Sequence, residues 1–190
     1  MENTTKTALI TGASRGIGRF CAHAFAAAGY DLILTCLHEK EKLHILQREL
    51  EDAYPVRCRG FLCDAGNYED VKQLFSQIDS LDVLVNNAGI SYIGLIQDMS
   101  PADWNAVMAA NLNACFYTVK HAVPLMLTKG HGRIINVSSV WGNVGASMET
   151  AYSASKGAVN AFTKALAKEL APSNIQVNAL ACGVIDTDMN

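Results

Sequence analysis

The feature that most constrains the fold of this chain is a regular alternation of short β-like runs with segments of helical apolar spacing. The β-like runs lie at residues 7–11, 31–35, 59–64, 82–87, 133–138 and 176–180. Between them, apolar residues recur three and four positions apart, as in Leu43, Leu46 and Leu50, which is the spacing of one helix face. Strands that alternate with helices form a parallel sheet covered by helices. The sequence therefore predicts an α/β fold with a parallel sheet at its centre.

Composition and charge indicate one domain that handles a small molecule. The chain has 190 residues, of which 50% are hydrophobic and 17% charged, and residues 1–190 contain no linker-like or repeated segment. The net charge of -3 comes from interspersed residues, so neither nucleic-acid binding nor membrane-surface binding is expected. Neither a leader-like N-terminus nor a run of about 18 uncharged apolar residues is present, which favours a cytoplasmic location.

The six cysteines stand at positions 21, 36, 58, 63, 115 and 182 and form no C-x-x-C pair. Several fall inside apolar runs, as expected for reduced core thiols in a reducing compartment. A zinc site would need tighter clusters of ligands, so we expect no metal site.

A glycine-rich stretch, TGASRGIG (residues 11–18), stands where the first strand passes into the first helix. Gly12, Gly16 and Gly18 permit a tight turn that brings the backbone close to a diphosphate, and the helix N-terminus supplies N–H groups and a positive dipole end. The spacing differs from the G-x-G-x-x-G fingerprint, and a glycine loop alone can be a simple turn. The flanking strand and helix favour a dinucleotide site.

The segment after the second strand predicts which dinucleotide is bound. Folds that prefer NAD usually carry an acid here, about 20 residues beyond the loop, on the adenosine ribose. Cys36 and Leu37 occupy that place in this chain. The nearby residues that are or can become cationic, and so favour a 2'-phosphate, are Arg15, His38 and Lys40. This pattern predicts NADPH, unless these are ordinary surface charges and Glu39 or Glu41 reaches a ribose hydroxyl.

An asparagine interrupts the apolar face of the helix that is predicted to begin after Ser100, with Pro101 in its first turn and Asp103 in a capping box. The predicted buried face comprises Trp104, Val107, Met108, Asn111, Leu112, Cys115, Phe116 and Val119. A buried amide without hydrogen-bond partners costs about 1–3 kcal/mol, so Asn111 must meet backbone, water or a ligand. It is either a satisfied core residue or part of the site.

Tyr152 and Lys156 lie four positions apart, on one face of a predicted helix that Val159, Thr163 and Leu166 continue. A phenol that exchanges protons at neutral pH needs its pKa lowered by about 3 units, or about 4 kcal/mol. One ammonium about 4 Å away supplies roughly that much at an effective dielectric of about 20. The pair is therefore typical of acid–base chemistry, with Lys156 expected to lower the pKa of Tyr152.

Ser138 and Ser139 end a predicted strand, at the edge of a parallel sheet where ligands gather. A hydroxyl there can orient a carbonyl. A serine nucleophile is the alternative, but VSSVW (residues 137–141) is not a G-x-S-x-G elbow. His121 and His131 have no obvious position as a base, which argues against a hydrolase.

The motifs TGASRGIG (residues 11–18), NNAG (residues 86–89), Asn111, Ser139 and YSASK (residues 152–156) follow one another as in a classical short-chain dehydrogenase/reductase, which this chain resembles almost from end to end. The resemblance implies a Rossmann-like, doubly wound sheet in three α/β/α layers and a homo-oligomer. It also implies Tyr152 as catalytic acid/base, Lys156 on the nicotinamide ribose, Ser139 on the substrate carbonyl and Asn111 in a water-mediated proton relay. The implied cofactor-binding residues are Gly12, Ser14, Arg15, Gly16, Ile17, Gly18, Asp64, Ala65, Asn87, Ala88, Gly89, Tyr152, Lys156, Ile185 and Thr187.

Within that family the chain is most similar to bacterial 3-oxoacyl-[acyl-carrier-protein] reductases of fatty acid biosynthesis. Two departures stand out: Cys182-Gly183 replaces the usual Pro-Gly, and residue 190 falls where the family continues with a substrate-covering segment, a strand and a helix. The family's usual C-terminal strand and helix are therefore expected to be missing, and the 176–180 strand to need a partner chain over its edge unless the protein is longer.

The sequence thus predicts an NADP(H)-dependent reductase of a small carbonyl substrate, including one carried on acyl carrier protein. An NAD-dependent alcohol or sugar dehydrogenase and a catalytically inactive nucleotide-binding module remain as alternatives.

Overall fold

The computed structural model describes residues 5–187 and places six parallel strands in one sheet. The strands are β1 (Thr7–Ile10), β2 (Asp31–Cys36), β3 (Cys58–Leu62), β4 (Val83–Asn86), β5 (Gly132–Ser139) and β6 (Ile175–Cys182). Their order in the sheet is β3-β2-β1-β4-β5-β6, and every neighbouring pair is parallel. The predicted Rossmann-like, doubly wound α/β fold is confirmed.

Helices cover both faces of the sheet and form the outer layers. They are α1 (Gly16–Ala27), α2 (Lys40–Ala53), α3 (Tyr68–Phe75), α4 (Pro101–Met108), α5 (Ala114–Lys129), α6 (Trp141–Val144) and α7 (Thr150–Leu170). Apolar residues of α1 and α2 pack with alternate strand residues on one face. Those of α3, α5 and α7 pack on the other face. The alternation follows from the period of two along a strand, which points successive side chains to opposite layers.

The predicted start of α4 is confirmed, whereas the predicted continuous helix through Phe116 is wrong. Ser100 Oγ accepts the Asp103 N–H at 3.1 Å, and Asp103 Oδ2 accepts the Ser100 N–H at 3.1 Å, which forms the capping box. A π-helical turn at Ala109–Asn113 then separates α4 from α5. Such a turn holds an additional residue and rotates the faces that follow it. Phe116, predicted to be buried, is consequently 48% exposed.

The strand order reverses between β2-β1 and β4-β5, so the carboxyl ends of β1 and β4 lie side by side at a switch point. Ligands of open parallel sheets bind beyond such ends. No helix in residues 5–187 combines the length and the apolar character that a membrane span needs. In the same residues, no group of three or more His, Cys, Asp or Glu side chains is placed to hold a metal ion.

Candidate active site

A cavity of about 500 Å³ opens at the carboxyl end of the sheet, between the segments that follow the strands. The predicted site residues that line it are Gly12, Ser14, Arg15, Gly16, Ile17, Asp64, Ala65, Asn87, Ala88, Gly89, Ser139, Tyr152, Lys156, Ile185 and Thr187. Gly18 and Asn111 are not among its lining residues. The volume is in the range of small-molecule and cofactor sites, which is about 300–1,000 Å³.

The glycine loop presents an uncapped helix end to this cavity. Helix α1 begins at Gly16; its N-cap residue, Arg15, makes no side-chain capping bond, and its first turn contains no acid. Gly12 has φ +64°, and a Cβ there would lie 2.9 Å from the Ala88 Cα. Position 12 is thus kept free of a side chain, next to a helix N-terminus whose N–H groups and dipole favour an anion. These features fit the diphosphate of a dinucleotide.

Two predicted residues hold the loop in place by hydrogen bonding and packing. Asn87 Nδ2 donates to the carbonyl oxygens of Thr11 and Gly12, at 3.0 and 2.9 Å. The backbone N–H groups of Asn87 and Ala88 both donate to Thr11 Oγ1 at 3.0 Å. A Cβ on Gly18 would overlap the Gly12 carbonyl oxygen, so this glycine lets α1 pack against the loop. Thr11 was not predicted as a site residue, although it belongs to the glycine motif.

The end of the cavity beside the glycine loop contains an acid despite the apolar residues at positions 36 and 37. Glu39 lines the cavity and accepts hydrogen bonds from Ser14 Oγ at 2.9 Å and from Lys42 Nζ at 2.5 Å. Arg15 Nε lies 3.8 Å from the Glu39 carboxylate. The bonds from Lys42 and Ser14 lower the pKa of Glu39 and keep it ionised. Glu39, which the sequence analysis kept as an alternative partner of a ribose hydroxyl, therefore lies beside the glycine loop.

Lys156 is held at the end of the cavity that contains Tyr152 by a backbone carbonyl. Its side chain is buried, with the residue 5% exposed, and Nζ donates to the Val137 carbonyl oxygen at 2.8 Å. Nζ lies 5.5 Å from the centroid of the Tyr152 ring. Burial lowers the pKa of Lys156. Val137 has no sequence signal for this role, because its carbonyl acts and not its side chain.

The prediction that Lys156 lowers the pKa of Tyr152 is wrong for this structure. Burial raises the pKa of Tyr152, a hydrogen bond with Ser139 lowers it, and the charges of Glu149 and Cys182 raise it, with a net upward shift. Lys156 faces the ring and the Val137 carbonyl. The phenol therefore holds its proton at neutral pH.

Ser139 lies at the end of β5, next to the phenol. It is buried, and its Oγ accepts the Trp141 N–H at 3.2 Å, which fixes the hydroxyl at the start of the following turn. Its neighbour Ser138 points elsewhere and donates to the Lys156 carbonyl oxygen at 3.3 Å. Of the two serines, only Ser139 thus reaches Tyr152.

Asn111 lies in the π-helical turn and ties the site segments together. It is 1% exposed, and its Oδ1 accepts the Ile90 N–H at 2.8 Å. Its Nδ2 donates to the Ile90 carbonyl oxygen and to Ser155 Oγ, both at 2.9 Å. The buried amide has thus found backbone and hydroxyl partners, as its burial requires. Its part in a proton relay stays a prediction.

Two residues at the Tyr152 end of the cavity were missed by sequence reasoning. Glu149 and Ser91 line the cavity, and Ser91 Oγ donates to Glu149 Oε1 at 2.7 Å. Glu149 stands three residues before Tyr152, less than one helical turn away, which is a signal that could have identified it. Ser91 belongs to a loop segment with no comparable signal.

Comparison with known proteins adds independent support for these features. The family model described as short chain dehydrogenase matches residues 6–190. A 3-oxoacyl-[acyl-carrier-protein] reductase FabG of Aquifex aeolicus is 39% identical over 188 residues, which cover 97% of this chain and 75% of that protein. The FabG of Staphylococcus aureus (strain Mu50) is 41% identical over 190 residues, covering 97% and 76%.

A solved structure shares the fold closely. The crystal structure of a dehydrogenase/reductase from Sinorhizobium meliloti 1021 has a TM-score of 0.92 and 36% identity, with coverage of 97% of this chain and 74% of that one. The resemblance predicted from the sequence motifs is confirmed. This chain belongs to the short-chain dehydrogenase family of oxidoreductases.

Proposed function

We propose that this protein is an NADPH-dependent reductase that converts a ketone to a secondary alcohol, with Tyr152 as the proton donor. The observation that carries the proposal is that Tyr152, Ser139 and Lys156 line the same cavity as the glycine loop, which leads into the uncapped N-terminus of α1. One cavity thus combines an acid, a carbonyl-orienting hydroxyl and an anion cradle. When bound, a reduced nicotinamide would supply the hydride.

The raised pKa of Tyr152 suits reduction. The phenol keeps its proton until the carbonyl oxygen gains negative charge, and then donates it. Ser139, which lies close enough to the phenol to influence its pKa, would hold the carbonyl oxygen next to that proton. Lys156 would hold the nicotinamide ribose when the cofactor is bound, and its buried ammonium also faces the Tyr152 ring. All four of Ile185, Thr187, Asp64 and Ala65 line the cavity, where the first two would contact the nicotinamide and the last two the adenine.

The test of the acid is Tyr152→Phe, with Tyr54→Phe, outside the cavity, as the control. We expect kcat for a β-ketoacyl thioester to fall by about 100-fold or more in Tyr152→Phe, because general acid catalysis contributes about 10²–10⁴-fold. Cofactor affinity, measured by fluorescence titration, should change by less than about twofold. Equal rates in Tyr152→Phe and the parent would remove Tyr152 as the donor. Cofactor binding without turnover in the parent would favour a nucleotide-binding module without catalysis.

The preference of the protein for NADPH over NADH depends on whether Glu39 gives up its cationic partners to the 2'-phosphate. Arg15 and Lys42 lie on either side of Glu39 and can pair with a 2'-phosphate in its place. We expect NADPH to bind more tightly than NADH, and Glu39→Gln to increase the preference for NADPH by about tenfold by removing a repulsive charge. Glu41→Gln, an exposed acid on α2, is the control. A parent that prefers NADH would indicate an NAD-dependent alcohol or sugar dehydrogenase, with Glu39 on the ribose.

The relatives' names support the substrate class. Both FabG proteins are 3-oxoacyl-[acyl-carrier-protein] reductases. We therefore propose a β-ketoacyl substrate, including one carried on acyl carrier protein, a place in fatty acid biosynthesis, a homo-oligomer and a cytoplasmic location. Rates with acyl-carrier-protein-bound and free thioester substrates would compare the carriers directly.

A further inference from the structure

Glu149 bridges two segments of the cavity wall. It directly precedes α7, and its Oε1 accepts a 2.7 Å hydrogen bond from the hydroxyl of Ser91, in the segment after β4. The Gly94 N–H donates to the Met148 carbonyl oxygen at 2.8 Å, which joins the same two segments. Ser91 and Glu149 both line the cavity. The carboxylate is therefore held at the wall.

The acidic side chains that line the cavity are divided between its two ends. Among the lining residues in the described part of the chain, the acids are Glu39, Asp64 and Glu149. Glu39 lies beside the glycine loop, and Asp64 follows β3 on the same side of the sheet. Glu149 is thus the anionic group at the end that contains Tyr152. The ammonium of Lys156 is buried, donates to the Val137 carbonyl oxygen and lies 5.5 Å from the centroid of the Tyr152 ring.

The charge of Glu149 acts on the phenol that would protonate the substrate. Burial is the largest cause of the raised pKa of Tyr152, and the negative charge of Glu149 adds to it. A negative group on the substrate, close to the carbonyl that Tyr152 protonates, must experience the same repulsion in a partly desolvated cavity. A neutral group at that position does not.

We propose that Glu149 is a specificity-determining residue that selects ketones without a negative charge beside the reacting carbonyl and disfavours β-keto acids with a free carboxylate. This inference rests on the proposed reductase function and adds a charge rule for its substrate. Neutral esters, thioesters and amides of β-keto acids meet the rule, because their carboxyl group is masked.

The test compares acetoacetate with ethyl acetoacetate in the parent protein, Glu149→Gln and Glu169→Gln, using whichever of NADPH and NADH is oxidised faster. Glutamine keeps the shape of Glu149 and an oxygen that accepts the Ser91 hydroxyl. Glu169 is an exposed acid near the other end of α7 and carries the same change of charge outside the cavity. We expect Glu149→Gln to raise the acetoacetate-to-ester ratio of kcat/KM about tenfold, because any change in the Tyr152 phenol is common to both substrates whereas the lost repulsion acts on acetoacetate alone. Glu169→Gln should leave this ratio unchanged.

If Glu149→Gln changed kcat/KM for acetoacetate and for ethyl acetoacetate by the same factor, the inference would be overturned and the proposed reductase function would stand. If Glu149→Gln does not fold, the salt dependence of the parent protein tests the inference by itself. Salt screens charge repulsion, so the acetoacetate-to-ester ratio of kcat/KM should rise between low and high NaCl, and a constant ratio would reject the inference. Absence of turnover with every ketone, including β-ketoacyl thioesters, would reject the proposed function and this rule with it.

Discussion

At the carboxyl end of the sheet the buried ammonium of Lys156 donates to a neutral carbonyl, whereas at the amino end the buried carboxylate of Asp82 is surrounded by donors. Asp82 accepts the Thr7 N–H at 2.8 Å and Lys129 Nζ at 2.6 Å, and contacts His131 Nε2 at 3.0 Å. Burial by itself raises the pKa of Asp82. The bonds from Lys129, Thr7 and His131 outweigh it and hold that pKa below its usual value.

The difference indicates which end of the sheet stabilises the fold and which end serves the chemistry. A buried charge with opposite charges around it is compensated and supports the fold, while removal of one partner is costly. A buried charge with only a carbonyl and an aromatic ring nearby keeps its field for another molecule, which is typical of functional sites. We therefore assign stability to the Asp82 cluster and chemistry to Lys156.

A lysine-to-methionine substitution at each end of the sheet tests this assignment most directly. Lys156→Met should lower kcat/KM by about 100-fold or more, because the proposed ribose site and the phenol lose their fixed cation. The free energy of unfolding should stay within about 1 kcal/mol of the parent, since a costly buried ammonium is removed together with one hydrogen bond. Reductase assays and urea unfolding measure the two quantities.

Lys129→Met is the matched control at the amino end. It should leave kcat/KM unchanged and lower the free energy of unfolding by about 1–2 kcal/mol, because Asp82 loses its principal cation. If Lys156→Met were the less stable variant and Lys129→Met the less active one, the two ends would have been assigned the wrong way round.

The sequence predicted those parts of the site that depend on local spacing. The glycine loop follows from residue types around one strand–helix junction, and the shared face of Tyr152 and Lys156 follows from the helical period. The partner of Lys156 could not be predicted in this way, because the Val137 carbonyl lies 19 positions away and carries no side-chain signal. The wrong direction for the pKa of Tyr152 has the same origin, since it depends on burial and on where the ammonium points.

The helix that contains Asn111 shows a second limit. Its apolar spacing was read as one uninterrupted helix, and the π-helical turn that rotates Phe116 to the surface has no composition cue. The turn brings Asn111 against Ile90 and Ser155, three segments far apart in sequence. Long-range hydrogen bonds of this kind decide local geometry and are invisible to a periodicity argument.

A second stability effect is expected from Asp82→Asn, which sharpens the stability side of the comparison. The amide keeps the size of the side chain but leaves Lys129 without a buried anion and cannot accept as many hydrogen bonds. We expect the free energy of unfolding at neutral pH to fall by about 2 kcal/mol and kcat/KM to stay within about twofold. A loss of activity in excess of the loss of folded protein would show that the two ends are coupled.

The smallest expected effect is the pH dependence of the difference in unfolding free energy between the parent and Asp82→Asn. Because the pKa of Asp82 is lower in the folded protein than in the unfolded chain, its stabilising contribution is complete above the unfolded value, about 3.9, and is lost as the pH falls through the folded value. The difference in unfolding free energy between the parent and Asp82→Asn should therefore be constant between neutral pH and about pH 5 and shrink only in more acidic solution. Asp52→Asn, an exposed acid on α2, is the control and should give a difference near zero throughout. A difference that already shrinks between neutral pH and about pH 5 would mean that burial prevails over the donors, so that the pKa of Asp82 is raised and the amino end is no better compensated than Lys156.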